Sequence, residues 1–121
     1  MYVKGDLNGA IQAGVCGLFL PHGLGHFLGL DVHDASLVPA IPVNSVLTIE
    51  PGIYFNRVFM DMGFKNAEQN KYLNNELINS YLDANFGGIR IEDDLIVNEN
   101  GIEIISLVPK SVHEIEQLMN Q

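Results

Sequence analysis

Pro21-His22-Gly23-Leu24-Gly25-His26-Phe27-Leu28-Gly29-Leu30-Asp31-Val32-His33-Asp34 sets three histidines among glycines in one short stretch, and every histidine of the chain except His113 lies within it. Glycine has no Cβ, so its backbone can approach another segment closely and adopt dihedrals that other residues avoid. Upstream, the apolar run Leu18-Phe19-Leu20 stops at Pro21, which disfavours a helix continuing into the stretch. The reading is a loop that presents imidazoles against something compact.

Working outward, residues 1–13 read as a short helix. Leu7, Ile11 and Val15 recur at helical spacing, and the end is placed near Gly17. Downstream, residues 35–45 read as a linker, because Pro39 and Pro42 rule out a central strand. Val46-Leu47-Thr48-Ile49-Glu50 is β-branched and apolar, Pro51-Gly52 turns, and Ile53-Tyr54-Phe55 resumes an extended pattern. Residues 66–84 read as a polar helix with Leu73, Leu77 and Tyr81 on one face, broken by Gly87-Gly88. The asparagines that cluster in this segment suggest an exposed, variable surface. Ile89-Arg90-Ile91-Glu92 alternates with period two and resumes from Asp94 to Val97 after a bulge at Asp93. Asn100-Gly101 signals a hairpin, with residues 102–107 as the returning strand. Ser111 and Glu114 have capping-box spacing, and the helix they open turns Ile115, Leu118 and Met119 toward the strands.

A chain of 121 residues has room for one domain. Hydrophobic residues make up 47% and charged residues 17%, which favours packing over a disordered tail. The formal net charge of -9, with no two basic residues adjacent, excludes nucleic acid and anionic membrane as partners on electrostatic grounds. No apolar run is long enough to cross a bilayer, and no signal peptide is evident, so a cytoplasmic setting is expected. The single cysteine, Cys16, cannot form an intrachain disulfide and reads as a small buried hydrophobe.

Imidazole and carboxylate are the ligands of Zn, Mn and Co sites. The candidates are His22, His26 and His33 in the glycine-rich loop, Glu50 at a strand end and Glu92 on the alternating strand. Alternation puts Arg90 and Glu92 on one face; if that face is inward, both charges must be paired or metal-bound. Each candidate also has a plainer reading. Glu50 could be a surface acid, Glu92-Asp93-Asp94 a solvated acidic turn, and the histidines anchors that tie the loop down.

The histidine stretch resembles the motif of the Xaa-Pro dipeptidases. Thr48-Ile49-Glu50-Pro51-Gly52-Ile53-Tyr54-Phe55, Gly87-Gly88-Ile89-Arg90-Ile91-Glu92-Asp93-Asp94, Gly101-Ile102-Glu103 and Val108-Pro109 follow in that family's order. The wider group is the creatinase, aminopeptidase P and methionine aminopeptidase family of metallopeptidases. The resemblance implies an α+β fold: part of a pita-bread architecture, a curved antiparallel sheet with flanking helices. It implies metal ligation by His26, Glu50 and Glu92, with Glu50 also the general base. It further implies that His33 stabilises the tetrahedral intermediate beside the substrate, that Arg90 lies against substrate, and that His22 is a loop-anchoring residue near it. The implied cofactor is manganese, two ions per site in the complete enzyme, with zinc or cobalt as alternatives. The implied substrate is a proline-containing dipeptide, and the full-length enzyme is a homodimer in many relatives.

The departures from the pattern are specific. The family's site has two aspartate ligands ahead of the histidine, and no segment here matches them. Only sixteen residues separate His33 from Glu50, and residues 35–45 contain no base that could hold a substrate carboxylate. Residues 1–121 are therefore expected to be the C-terminal part of a catalytic domain, shortened between 35 and 45. On that expectation a sheet edge and an apolar face lie open, and the isolated chain is weakly active or inactive. The alternatives are a non-catalytic relative with a binding role, or part of an Xaa-Pro aminopeptidase.

Overall fold

Polar side chains that accept from otherwise unpaired N–H groups open most of the helices, and they set the boundaries that hydrophobic spacing leaves vague. The computed structural model describes residues 4–35 and 39–120. Residues 1–3 of the expected first helix and 36–38 of the expected linker lie outside the described residues. Asp6 caps α1 (Leu7–Gln12) through Asn8 and Gly9 N–H, and α2 (Cys16–Phe19) follows after a break at residues 13–15. Further on, Asn56 caps α3 (Arg57–Lys65), Asn66 caps α4 (Ala67–Asn70), and Asn74 caps α5 (Asn75–Asp83). Asn85 takes a positive φ of 51° just beyond α5. These asparagines punctuate the helices, and Asn56, Asn66 and Asn85 are exposed. The single helix expected over 66–84 is two helices, and α3 had no counterpart in the sequence reading.

The described residues divide into two compact units, one of residues 4–23 and 52–90, the other of residues 24–51 and 91–120. The first contains α1 to α5 and a two-stranded antiparallel ladder of β2 (Gly52–Tyr54) with β3 (Gly88–Arg90). Its core is Ala10, Val15, Leu18, Phe19, Phe55, Met60, Leu73 and Ile78. Phe55 stacks on Tyr81 with ring centroids 4.8 Å apart and meets Phe19 edge-on at 5.9 Å. The expected face of α1 is corrected: Leu7 and Ile11 are exposed, and Ala10 faces the core. Cys16 is exposed too, because Val15, Leu18 and Phe19 occupy the core-facing positions around it.

The second unit holds an antiparallel sheet ordered β1-β4-β5, built from β1 (Val46–Ile49), β4 (Asp93–Asn98) and β5 (Gly101–Ile104), followed by α6 (Val112–Met119). The β4–β5 hairpin turns at Glu99-Asn100 and pairs Asn98 with Gly101, one residue ahead of the Asn100-Gly101 signal, and β5 ends at Ile104 rather than at the expected 107. Lys110 Nζ bonds Asp93 Oδ1 at 2.8 Å and the Ser106 carbonyl at 2.7 Å. Ser106 Oγ donates to Asp93 at 3.0 Å, so the segment after β5 is tied to the start of β4. The Lys110 ammonium and the Ser106 hydroxyl hold the Asp93 carboxyl below the usual carboxylate range.

The capping box of Ser111 and Glu114 forms as expected, but α6 buries none of its residues. Ile115, Leu118 and Met119 are 40%, 57% and 80% exposed, so the expected packing of this face on the strands is absent. All of β5 is exposed, and it is an edge of the three-stranded sheet. The buried hydrophobics of this unit are Leu47 and Leu95 among the described residues. The edge strand β5 and the apolar side of α6 are thus both exposed.

Candidate metal centre

The histidine loop reaches its position by pairing with β1 as if it were a further strand. Glu50 N–H donates to the Leu24 carbonyl at 2.7 Å, Thr48 N–H to the His26 carbonyl at 2.9 Å, and Leu28 N–H to the Val46 carbonyl at 2.9 Å. Phe27 bridges Leu47 of β1 on one side and Asp34 of the returning loop on the other. Gly25 makes this approach possible: a Cβ there would lie 2.0 Å from the Thr48 carbonyl oxygen. The antiparallel register puts His26 beside Thr48, and the period of two puts Glu50 on the same face as Thr48.

The side chains then converge. His26 Nε2 lies 3.0 Å from Glu50 Oε1. The His26 Nδ1 is 3.1 Å from the Phe27 carbonyl oxygen, and since a carbonyl only accepts, Nδ1 carries a proton. Nε2 therefore meets the carboxylate through a second proton or through a cation that both groups ligate. Glu50 is only 7% exposed, which makes a partner for its charge a requirement. A half-buried imidazole with its far nitrogen fixed by a carbonyl, next to a buried carboxylate, is a donor set that fits a divalent transition metal. His33 packs edge-on against His26 with centroids 4.4 Å apart.

Glu92 stands differently. Continuing the β1–β4 register one step past Ile49–Asp93 sets Glu50 opposite Glu92, and Ile91 N–H reaches the Pro51 carbonyl at 3.1 Å just beyond. The backbone thus opposes the two carboxylates, yet Glu92 is exposed. Among the described residues, no three His, Cys, Asp or Glu side chains gather where they could hold one ion. The continuous alternation expected through Arg90 and Glu92 is also interrupted. β3 ends at Arg90, β4 begins at Asp93, and the two belong to different ladders.

His22 and Arg90 belong to the other unit. Arg90 is exposed and pairs with Gly52 in the β2–β3 register. His22 Nδ1 donates to the Gly23 carbonyl at 2.7 Å, which leaves Nε2 to accept from the Tyr54 hydroxyl at 2.8 Å. Sequence reasoning missed Tyr54, and it missed Thr48, whose hydroxyl joins the His26 backbone N–H to the Glu50 carboxylate. For Thr48 the signal was present, because Thr48-Ile49-Glu50 has strand alternation.

Residues 4–99 match the model of metallopeptidase family M24. The chain belongs to metallopeptidase family M24. It is 36% identical over 135 residues to the human Xaa-Pro dipeptidase, covering 97% of this chain and 27% of that protein. It is 35% identical over 133 residues to a probable Xaa-Pro aminopeptidase of Phaeosphaeria nodorum, covering 97% of this chain and 28% of that protein. Among solved structures it is similar to zinc-substituted E. coli aminopeptidase P in complex with product, with TM-score 0.68 and 34% identity, covering 97% of this chain and 24% of that one. The same enzyme with the inhibitor Pro-Leu gives the same TM-score and identity. This M24 chain thus spans about a quarter of the length of the relatives it matches, and its fold is part of the pita-bread fold. Family membership implies dependence on divalent metal. No helix among the described residues is long and apolar enough to cross a membrane.

Proposed function

We propose that this chain is part of the catalytic domain of an Xaa-Pro dipeptidase. In this reading it contributes His26, Glu50 and Glu92 to a two-ion site, with manganese as the metal and the cytoplasm as the setting. The observation that carries it is the His26–Glu50 pair, held at 3.0 Å with the outer imidazole nitrogen tied to a carbonyl. Bound divalent ions supply water activation and polarisation of the scissile carbonyl. Glu50 takes a proton from the attacking water and delivers it to the proline nitrogen as the imide bond breaks. His33, packed against His26, donates toward the carbonyl oxygen as negative charge develops there. The family resemblance further assigns Arg90 to the substrate and His22, whose ring Tyr54 orients, to anchoring the loop near it.

The match to aminopeptidase P supports a second reading, in which the longer enzyme removes the residue ahead of proline from extended peptides. Hydrolysis of glycyl-proline and of an Xaa-Pro-Xaa tripeptide by the purified chain with Mn²⁺, beside Glu50→Gln, tests the assignment. The expected rate is far below the roughly 1–10³ per second of ordinary enzymes. An ordinary rate abolished by Glu50→Gln overturns the expected inactivity, and the better substrate decides between the readings. An ordinary rate that survives Glu50→Gln overturns the role of Glu50.

A further inference from the structure

We propose that Thr48 is the positioning residue of the metal pair: its hydroxyl clamps His26 and Glu50 side by side and sets the spacing an ion meets. The inference rests on the metal reading above and extends it to a residue that touches neither substrate nor ion.

Thr48 is 1% exposed, so its hydroxyl has no access to bulk water and its bonds are settled within the protein. It accepts from the His26 backbone N–H at 3.1 Å and donates to Glu50 Oε1 at 2.8 Å. One hydroxyl has one proton to donate, so these two contacts fix its orientation. The acceptor contact holds the backbone that carries the imidazole. The donor contact fixes the carboxylate oxygen that faces His26 Nε2. Register explains why this position does the work. Thr48 is directly beside His26 across the loop–β1 pairing and two residues from Glu50 along β1, so it is the one β1 side chain adjacent to both. Valine has nearly the same shape without the hydroxyl, so it would keep the packing while removing both bonds. Serine keeps the hydroxyl and loses a methyl.

The 121-residue chain and its Thr48→Val and Thr48→Ser variants provide the test, with two readouts. The first is amide hydrogen exchange without metal. Thr48→Val is expected to speed exchange at the His26 amide roughly tenfold, as loss of its acceptor demands. The Thr48 and Leu28 amides, bonded between backbones, keep their protection. Thr48→Ser keeps all three. The second readout is Mn²⁺ affinity by electron paramagnetic resonance. Loss of a supporting hydrogen bond is expected to weaken it roughly 10-fold or more in Thr48→Val, with Thr48→Ser close to wild type.

Unchanged exchange at His26 in Thr48→Val overturns the proposal, as does a serine variant as impaired as the valine. Equal loss of protection at Thr48 and Leu28 also overturns it, because the role would then be strand packing. Wild-type affinity that is unaltered by Glu50→Gln overturns the metal reading instead, while the exchange data still decide the clamp.

Discussion

Gly25→Ala should dismantle the candidate site without touching any polar side chain in it. The new Cβ would sit 2.0 Å from the Thr48 carbonyl oxygen, where ordinary contact begins near 3.4 Å. The clashing atom belongs to β1 backbone, so it cannot rotate away, and the loop must retreat by roughly 1.4 Å. The bonds on either side, Glu50 to Leu24 at 2.7 Å and Thr48 to His26 at 2.9 Å, do not survive such a retreat. Two backbone hydrogen bonds at about 1 kcal/mol each, with about 1–3 kcal/mol for the strain of an inserted methyl, give a loss of about 3–5 kcal/mol. For a chain of this size that is a fall in thermal midpoint on the order of 10 °C for the unit concerned. The assay is amide exchange at Thr48 and Glu50 together with thermal unfolding. Gly17→Ala is the control. It lies in α2 with nothing within 4 Å of the added methyl, and alanine favours helix over glycine by about 1 kcal/mol, so it should be neutral or stabilising. Wild-type protection at Thr48 and Glu50 in Gly25→Ala would refute the claim that loop and strand meet through this glycine.

Ile78→Ala removes a fully buried side chain from the helical core and should cost about 2–5 kcal/mol, read as a lower urea midpoint and loss of the near-ultraviolet signal of Tyr81. A loss under 1 kcal/mol would contradict its burial. Asp93, with its folded-state carboxyl held down by Lys110 and then Ser106, contributes stability that is fully present above the unfolded value of 3.8 and lost as pH falls through the lower folded value. Chemical shifts of Ser106 and Lys110 should follow that loss below pH 3.8, and Asp93→Asn should flatten the response.

Strong local chemistry was legible in the sequence. A hairpin formed within one residue of Asn100-Gly101, Ser111 and Glu114 made their capping box, and Val46 to Ile49 made a strand just ahead of Glu50. The histidine loop was legible as a loop, but its partner was not, because a glycine-rich segment can lie against any exposed strand edge. Helix α3 escaped because Asn56 was not read as a cap, although Met60 and Phe64 behind it have helical spacing. Period-two alternation misled at Ile89 to Glu92, where the two ladders divide. Helical spacing misled at α6 in another way: its amphipathic pattern is real, but none of its residues is buried. Of the candidate site, the pairing of His26 with Glu50 was implied only by resemblance to a family. The Thr48 hydroxyl that joins the His26 backbone to Glu50 needed the register of the loop on β1, which no single stretch encodes.

The most direct test of the account is a Mn²⁺ titration of the 121-residue chain beside His26→Ala, Glu50→Gln and the double variant. Wild type should bind manganese, each single variant should weaken binding tenfold or more, and the double variant should lose much less than the two losses combined, as residues sharing one ion do. Binding that is unchanged in both single variants would contradict the metal centre at its root.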